Sequence, residues 1–207
     1  FVFTTKLGLA KRTSVSQFAN IRTSGLIAIG LREDDELISV RLTDGKKQVI
    51  IGTHDGMLVR FNEEDIRAMG RTAAGVRGIK LREGDYVVDM EILEEGQEIL
   101  VVTEKGYGKR TPESEYRLQS RGGVGLKTVQ VTDKNGPMTA VKVVDGSEDI
   151  MLITNKGMLI RMDVNDVSVI GRSTQGVRLI RLSEDEYVAT VARVNKDEVD
   201  DQEETEE

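Results

Sequence analysis

Basic side chains recur at regular intervals along this chain of 207 residues, and they are the groups best suited to chemistry. A first set closes the motif Thr-x-x-Gly-x-x-x-Arg, which occurs four times and contributes Arg12, Arg60, Arg110 and Arg161, with Lys109 beside the third. A second set flanks glycine-rich segments and comprises Arg22, Arg71, Arg77, Lys80, Arg121, Lys127, Arg172, Arg178 and Arg181. Arginine next to accessible backbone N–H groups binds phosphates whatever the base sequence, with strong salt dependence. The two sets therefore predict a basic belt that binds nucleic acid.

A purely structural role for these cations is the alternative. Arginine at the end of a strand often blocks the sheet edge or pairs with a nearby carboxylate. This alternative applies most directly to the first set, because each of its arginines is expected to end a strand. The glycine-rich surroundings of the second set favour phosphate binding there.

Other local patterns that resemble reactive sites lack essential parts. The string Gly122–Thr128 resembles a phosphate-binding loop, but Leu126 separates its glycine from the lysine. The string Asp133–Gly136 resembles part of a calcium loop without its first and last ligands, so a turn is the better interpretation. His54, the single histidine, is expected to be an exposed turn residue, and the chain has no cysteine. We therefore predict no catalytic residue, metal site or cofactor within this chain.

The net charge of −7 comes from one short segment. The last eleven residues contain eight carboxylates and no basic residue: Asp197, Glu198, Asp200, Asp201, Glu203, Glu204, Glu206 and Glu207. Without them, 28 acidic residues face 29 basic ones over residues 1–196. Residues 197–207 are predicted to be a disordered acidic tail that competes with nucleic acid for the basic belt. The alternative is a tail that only aids solubility.

Two sequence anchors in phase define a repeat that must position the basic residues. The first anchor is the motif Thr-x-x-Gly-x-x-x-Arg, and its glycines are spaced by 48, 50 and 51 residues: Gly8, Gly56, Gly106 and Gly157. The second anchor is the glycine-rich segment that follows in each unit, and its glycines, spaced by 50, 48 and 53 residues, are aligned as Gly25, Gly75, Gly123 and Gly176. The predicted units are residues 1–48, 49–98, 99–149 and 150–196.

Each unit has the pattern of short strands rather than helices. Val49–Ile51 and Met57–Phe61 flank an Asp-Gly turn, Tyr86–Ile92 follows later, and one short helical turn fits Asn62–Ala68. Four strands per unit indicate an all-β, propeller-like arrangement of about 50-residue blades. A solenoid is the alternative, although its β-repeats are usually much shorter.

Three strings resemble one known family: Asn62–Leu81, Glu104–Thr111 and Val169–Leu182. They are similar to the C-terminal domain of bacterial DNA gyrase A, and the resemblance extends from Phe1 to about Asn195. It implies a six-bladed β-pinwheel whose neighbouring blades exchange strands. It also implies wrapping of double-stranded DNA, which supports negative supercoiling by the ATP-driven enzyme.

The same resemblance implies partners and a location. These are gyrase B and the rest of gyrase A in an A2B2 heterotetramer, in the cytoplasm with the nucleoid and not in a membrane. ATP and magnesium would act elsewhere in that assembly, as would the catalytic tyrosine.

This sequence departs from the family pattern at its hallmark box, Gln-Arg-Arg-Gly-Gly-(Lys/Arg)-Gly. The nearest string, Gln119–Gly125, lacks two of the basic residues. With four repeats visible and no initial Met, the first blades are expected upstream of Phe1. Two alternatives stay open: the corresponding domain of topoisomerase IV, and a propeller that serves as a protein-interaction scaffold.

Overall fold

The computed structural model describes residues 1–196, and these form two compact units. Unit 1 consists of Phe1–Glu94 and Tyr116–Lys127; unit 2 consists of Glu95–Glu115 and residues 128–196. The acidic tail predicted for residues 197–207 lies outside the described residues, so its role stays a prediction. Within residues 1–196, no helix is long and apolar enough to cross a membrane.

Short antiparallel strands make up both units, as the sequence predicts. The first seven are β1 (Val2–Thr5), β2 (Leu9–Arg12), β3 (Leu37–Arg41), β4 (Gln48–Thr53), β5 (Met57–Asn62), β6 (Val76–Arg77) and β7 (Val87–Leu93). The others are β8 (Glu98–Thr103), β9 (Tyr107–Pro112), β10 (Leu126–Lys127), β11 (Met138–Val144), β12 (Glu148–Thr154), β13 (Leu159–Asp163), β14 (Val177–Arg178) and β15 (Val188–Asn195). Short 3₁₀ turns lie at Val15–Phe18, Glu63–Asp65, Glu113–Glu115 and Val164–Asp166.

The first anchor is a hairpin turn, and its two fixed residue types have separate physical tasks. Gly56 lies between β4 and β5 with a φ of 80°, which only glycine adopts without steric cost. The hydroxyl of Thr53 accepts a hydrogen bond from the backbone N–H of Met57 at 3.3 Å. The same threonine bond recurs in the other three anchors, so Thr-x-x-Gly specifies the turn.

Each unit contains two antiparallel sheets. In unit 1 the strand orders are β3-β1-β2-β6 and β10-β5-β4-β7; in unit 2 they are β11-β8-β9-β14 and β13-β12-β15. The short strands β6, β10 and β14 each belong to one repeat but complete the sheet of the preceding repeat, antiparallel to β2, β5 and β9. This strand exchange agrees with the architecture that the resemblance implies. We call these three the exchanged strands.

The second anchor begins each exchanged strand, and its glycine packs against the preceding sheet. A Cβ on Gly75 would lie 2.6 Å from the carbonyl oxygen of Ala10, and one on Gly125 would lie 2.5 Å from that of Leu58. In the third repeat the equivalent glycine is thus Gly125, with a φ of 76°, and the alignment on Gly123 is wrong. Exchanged-strand pairing, which the sequence does not display, distinguishes the two.

Apolar residues that follow the exchanged strands help to form the two cores. Ile79 packs in the core of unit 1 with Val49, Ile51 and Phe61. Ile180 belongs to the core of unit 2, which also contains Leu100. Burial of such a side chain contributes about 1.5–3 kcal/mol, so each exchanged segment is held by more than its two-residue ladder.

Candidate nucleic-acid interface

The first-set arginines are tied to their own sheets. Arg110 ends the β9 hairpin only 8% exposed; its Nη1 donates to Glu98 Oε2 at 2.7 Å and its Nε to the carbonyl oxygen of Val167 at 2.9 Å. Arg60 donates from Nε to Gln48 Oε1 at 2.7 Å and from Nη1 to the carbonyl oxygen of Tyr116 at 2.9 Å. Each guanidinium group therefore joins neighbouring parts of its own unit.

The remaining two first-set arginines are also paired. Arg12 donates to the carbonyl oxygen of Gly45 at 3.3 Å and lies 3.9 Å from the carboxylate of Glu63. Arg161, more exposed, donates from Nε to Asp149 Oδ2 at 2.6 Å. The structural alternative thus describes the first set better than the predicted phosphate contacts do.

Lys109, predicted to bind DNA, is fully buried. Its Nζ donates to the carbonyl oxygens of Gly171, at 2.7 Å, and Arg172, and to the hydroxyl of Thr174 at 3.2 Å. Desolvation lowers the pKa of Lys109 to about 8, with Glu115 acting in the opposite direction. No phosphate can reach this ammonium in the folded unit, so the structure corrects the prediction for Lys109: it holds the glycine-rich segment of the next repeat.

The exchanged strands present the clearest candidates for phosphate contacts. Arg77, Lys127 and Arg178 each end an exchanged strand, opposite Leu9, Met57 and Tyr107, and all three cations are exposed. Outside these strands, the second-set cations that are also exposed are Arg22, Lys80 and Arg181. In unit 1 the N–H of Lys80 donates to the carbonyl oxygen of Gly123 at 2.8 Å, which joins consecutive glycine-rich segments.

Three second-set arginines are half-buried and support these segments from within. Arg71 donates to the carbonyl oxygen of Ile27 at 2.7 Å, and Arg121 donates to that of Asp65 at 2.8 Å. The backbone N–H of Arg172 donates to Glu115 Oε2 at 2.9 Å. The first two contacts restrict the side chains of Arg71 and Arg121, and the third holds the backbone of Arg172. Phosphate binding by these three arginines stays a prediction with less structural support than for the exposed cations.

Unit 2 contains a cavity of about 780 Å³ that the sequence did not indicate. Its walls include four cations, Lys105, Lys134, Arg178 and Arg181, and two aromatic rings, Tyr107 and Tyr187. Tyr107 takes the place that Leu9, Met57 and Met158 have in the other repeats. A tyrosine at this position was the sequence signal for the cavity. It becomes informative only when the pairing of the exchanged strand, which brings Arg178 beside Tyr107, is known.

His54 lies in a more structured environment than the exposed turn position predicted for it. Its ring stacks on Tyr86 with a centroid distance of 4.5 Å, and its Nδ1 lies 3.5 Å from the carboxylate of Asp55. With Asp85, these two residues form a group whose side chains are of types that bind metal ions. The Oδ1 of Asp85 already accepts hydrogen bonds from the backbone N–H groups of Asp55 and Tyr86. This geometry is that of a turn held by Asp85.

The fold defines the class of protein: a strand-exchanged β-propeller whose exchanged strands carry exposed cations. A family model described as the DNA gyrase C-terminal domain, beta-propeller, matches residues 1–44, 47–94, 97–145 and 148–195. The chain belongs to this family. It is 67% identical over 207 residues to DNA gyrase A of Halalkalibacterium halodurans and 52% identical to that of Staphylococcus aureus. Each alignment covers 99% of this chain but only 25% and 23% of the relative, so the chain spans about a quarter of their length.

Solved structures share the fold. A topoisomerase IV C-terminal domain matches with a TM-score of 0.90 and 27% identity, over 100% of this chain and 66% of that one. A DNA gyrase A C-terminal domain matches with a TM-score of 0.84 and 27% identity, over 93% and 64%. This chain therefore shares its fold with both of these domains, and the family model and the sequence relatives identify the gyrase family.

Proposed function

We propose that this chain binds double-stranded DNA without sequence preference and wraps it for negative supercoiling by a gyrase. The observation that supports this proposal is that Arg77, Lys127 and Arg178 are exposed at one equivalent position of three exchanged strands. Cations repeated in this way suit a repeated phosphate backbone. In the proposed assembly, gyrase B and the rest of gyrase A form an A2B2 enzyme in the cytoplasm. ATP, magnesium and the catalytic residues belong to other parts of that assembly.

Several contacts at once are needed, because bending 20–30 base pairs by 40–90° costs on the order of 1–6 kcal/mol. Five exposed second-set cations lie at or near the exchanged strands: Arg77, Lys80, Lys127, Arg178 and Arg181. Five phosphate contacts give a slope of about −4.5 in log affinity against log salt. Affinity should then fall roughly 500-fold between 50 and 200 mM salt.

The proposal is tested with a gel-shift salt titration of the full chain on a duplex. The triple variant Arg77→Ala, Lys127→Ala, Arg178→Ala should lose about 2.7 from the salt slope. A matched variant changes three exposed cations of equal charge outside the exchanged strands: Lys46→Ala, Arg67→Ala and Arg117→Ala. Equal losses in the two variants would show general charge attraction and contradict the assignment.

A protein-interaction scaffold is the second candidate function. It is favoured by the exposed apolar residues of the first repeat, where Ile21 is 73% and Ile27 is 66% exposed. Such a scaffold binds its partner through apolar contacts and shows little salt dependence. A flat salt titration for duplex DNA would therefore favour it.

The eight carboxylates of residues 197–207 are proposed to compete with DNA for the same cations. Removal of residues 197–207 should raise duplex affinity at low salt, and the effect should decrease as salt screens the charges. Unchanged affinity and unchanged supercoiling would favour a tail that only aids solubility.

A further inference from the structure

The cavity of unit 2 is built around one tyrosine–arginine pair. Tyr107 begins β9, and the exchanged strand β14 places Arg178 directly opposite. The Nε and Nη2 of Arg178 donate to the Tyr107 hydroxyl at 3.2 and 3.0 Å. The guanidinium carbon also lies 5.5 Å from the ring centroid, and Lys134 Nζ lies 5.8 Å from the centroid of the same ring. Because Tyr107 is only 6% exposed, these contacts hold its hydroxyl in a fixed position.

The hydrogen bonding of this pair leaves a donor available. The Tyr107 oxygen accepts from Arg178, so its own proton can only be donated, and no acceptor for it is found among residues 1–196. The backbone on another side of the cavity is held by Lys105, whose Nζ donates to the carbonyl oxygen of Asp133. The walls thus offer a phenol and several N–H donors to an anion.

The acidic residues in the wall do not cancel this positive charge. Glu186 is 8% exposed and accepts hydrogen bonds from Thr154 and Ser183, at 2.7 Å in each case from the hydroxyl. These bonds, first of all that from the Ser183 side chain, lower the pKa of Glu186. Its carboxylate therefore stays ionised and bound to donors of the protein itself. Four cations against Glu186 and Asp185 leave the cavity positive.

The equivalent places in unit 1, where an exchanged strand pairs with the preceding hairpin, lack this arrangement. There the exchanged strands place Arg77 opposite Leu9 and Lys127 opposite Met57, whose side chains offer no hydroxyl. In unit 1 each of these exposed cations stands opposite an apolar side chain, whereas around Tyr107 a phenol and four cations line one open cavity. A volume of about 780 Å³ also falls within the range of small-ligand sites.

We propose that this cavity is a phosphate-ester clamp that holds backbone phosphates of the bound duplex. Tyr107 donates its hydroxyl proton to a phosphate oxygen, while Arg178, Lys134 and Arg181 supply charge around it. Unit 2 would then hold DNA at a discrete point, in contrast to the single-cation contacts of unit 1. The inference rests on the proposed function, because it concerns how the same DNA is held.

The first experiment uses pyrophosphate and needs no DNA. Selective labelling of tyrosine is practical because the chain has only four. Pyrophosphate should shift the ring signals of Tyr107, and Tyr107→Phe should weaken its binding about tenfold, the effect of losing one hydrogen bond to a charged group. Lys46→Ala, which removes an exposed cation elsewhere in the chain, should leave pyrophosphate binding unchanged.

The second experiment measures duplex affinity of the full chain. Tyr107→Phe should weaken it by up to about tenfold. Lys134→Ala, at an exposed position, should reduce the salt slope by about 0.9. The duplex should also displace pyrophosphate. A melting curve for Tyr107→Phe establishes that the variant is folded.

The outcomes separate the clamp from the proposed function. Duplex binding that is unchanged in both Tyr107→Phe and Lys134→Ala would overturn the clamp and leave DNA binding intact. Pyrophosphate that stays bound in the presence of duplex would overturn it in favour of a site for free phosphate esters. A wild-type chain that does not bind duplex at all would overturn the proposed function, and the clamp for DNA with it.

Discussion

The first-set arginines and the cations of the exchanged strands recur with the same period, but most of the first set is buried or half-buried and the exchanged-strand cations are exposed. Arg110 is 8% exposed and binds Glu98 and Val167, whereas Arg77, with equal charge, ends an exchanged strand and is exposed. The first set lies within hairpins, where neighbouring strands supply acceptors. The exchanged strands are only two residues long and end at these cations, which are exposed.

This difference shows that cations can recur at the repeat period for two separate reasons. One is a structural bond that each sheet must make, and the other is a surface that a repeated ligand can contact. Sequence period alone does not separate them, since both give a cation about every 50 residues. Burial separates them at three of the four first-set positions, Arg161 being exposed, and variants can test that criterion.

The largest expected effect is on stability, at Arg110. Arg110→Met should reduce the free energy of unfolding by about 3–4 kcal/mol, because it leaves the Glu98 carboxylate and a buried carbonyl without their donor. Arg161→Met at the equivalent but more exposed position should cost less than about 1 kcal/mol. Urea unfolding of the two variants measures both values, and equal losses would remove the distinction that burial makes.

The next effect is a pH dependence caused by Lys109. Its folded pKa of about 8 lies below the ordinary 10.5, so the unfolded chain binds more protons between these values. The stability of the wild type relative to Lys109→Met should therefore rise by about 2 kcal/mol from pH 7.5 to 10.5, allowing for some solvent screening. Thermal unfolding of both proteins across that range provides the measurement. A constant difference would mean that Lys109 titrates normally.

A smaller effect is expected for the exposed cations. Arg77→Ala and Lys80→Ala should each change the free energy of unfolding by less than about 0.5 kcal/mol. Each should lower the slope of log duplex affinity against log salt by about 0.9. Arg60→Ala serves as the half-buried counterpart: it should destabilise unit 1 through its lost bonds to Gln48 and Tyr116 without lowering the salt slope of the folded protein.

The smallest effect concerns the first repeat, where Ile27 stands in place of the exchanged-strand cation. Because Ile27 is 66% exposed, Ile27→Arg should leave the melting temperature unchanged. It should add about 0.9 to the magnitude of the salt slope if the position faces DNA as its equivalents do. An unchanged slope would mean that this segment does not belong to the DNA-binding surface.

Local features explain how much of the fold the sequence could predict. The Thr-x-x-Gly turn and its flanking apolar runs are decided within a few residues, so the hairpins and the strand Val87–Leu93 follow from sequence. The alignment of Gly123 with the other second-anchor glycines is wrong. The correct alignment, on Gly125, depends on contact with Leu58, which lies in the preceding repeat. Exchange between repeats is therefore the part of the fold that local patterns do not determine.

The candidate site was predictable only in part, for the same reason. Exposure of Arg77 and Lys127 agrees with the surface predicted for them. Lys109 looked identical in sequence, yet its ammonium reaches carbonyls of the following repeat and is buried. Tyr107 was not recognised because its partner Arg178 is 71 residues away.

The exchanged strands also determine how the chain comes apart. A protease cut in the loop between β5 and β6 would break the covalent path, yet β6 would still be hydrogen-bonded to β2, and Ile79 would still pack in the shared core. The pieces should co-migrate under native conditions and separate only in denaturant. Neighbouring repeats are thus interlocked, and the smallest portion that can unfold by itself extends from one repeat into the next.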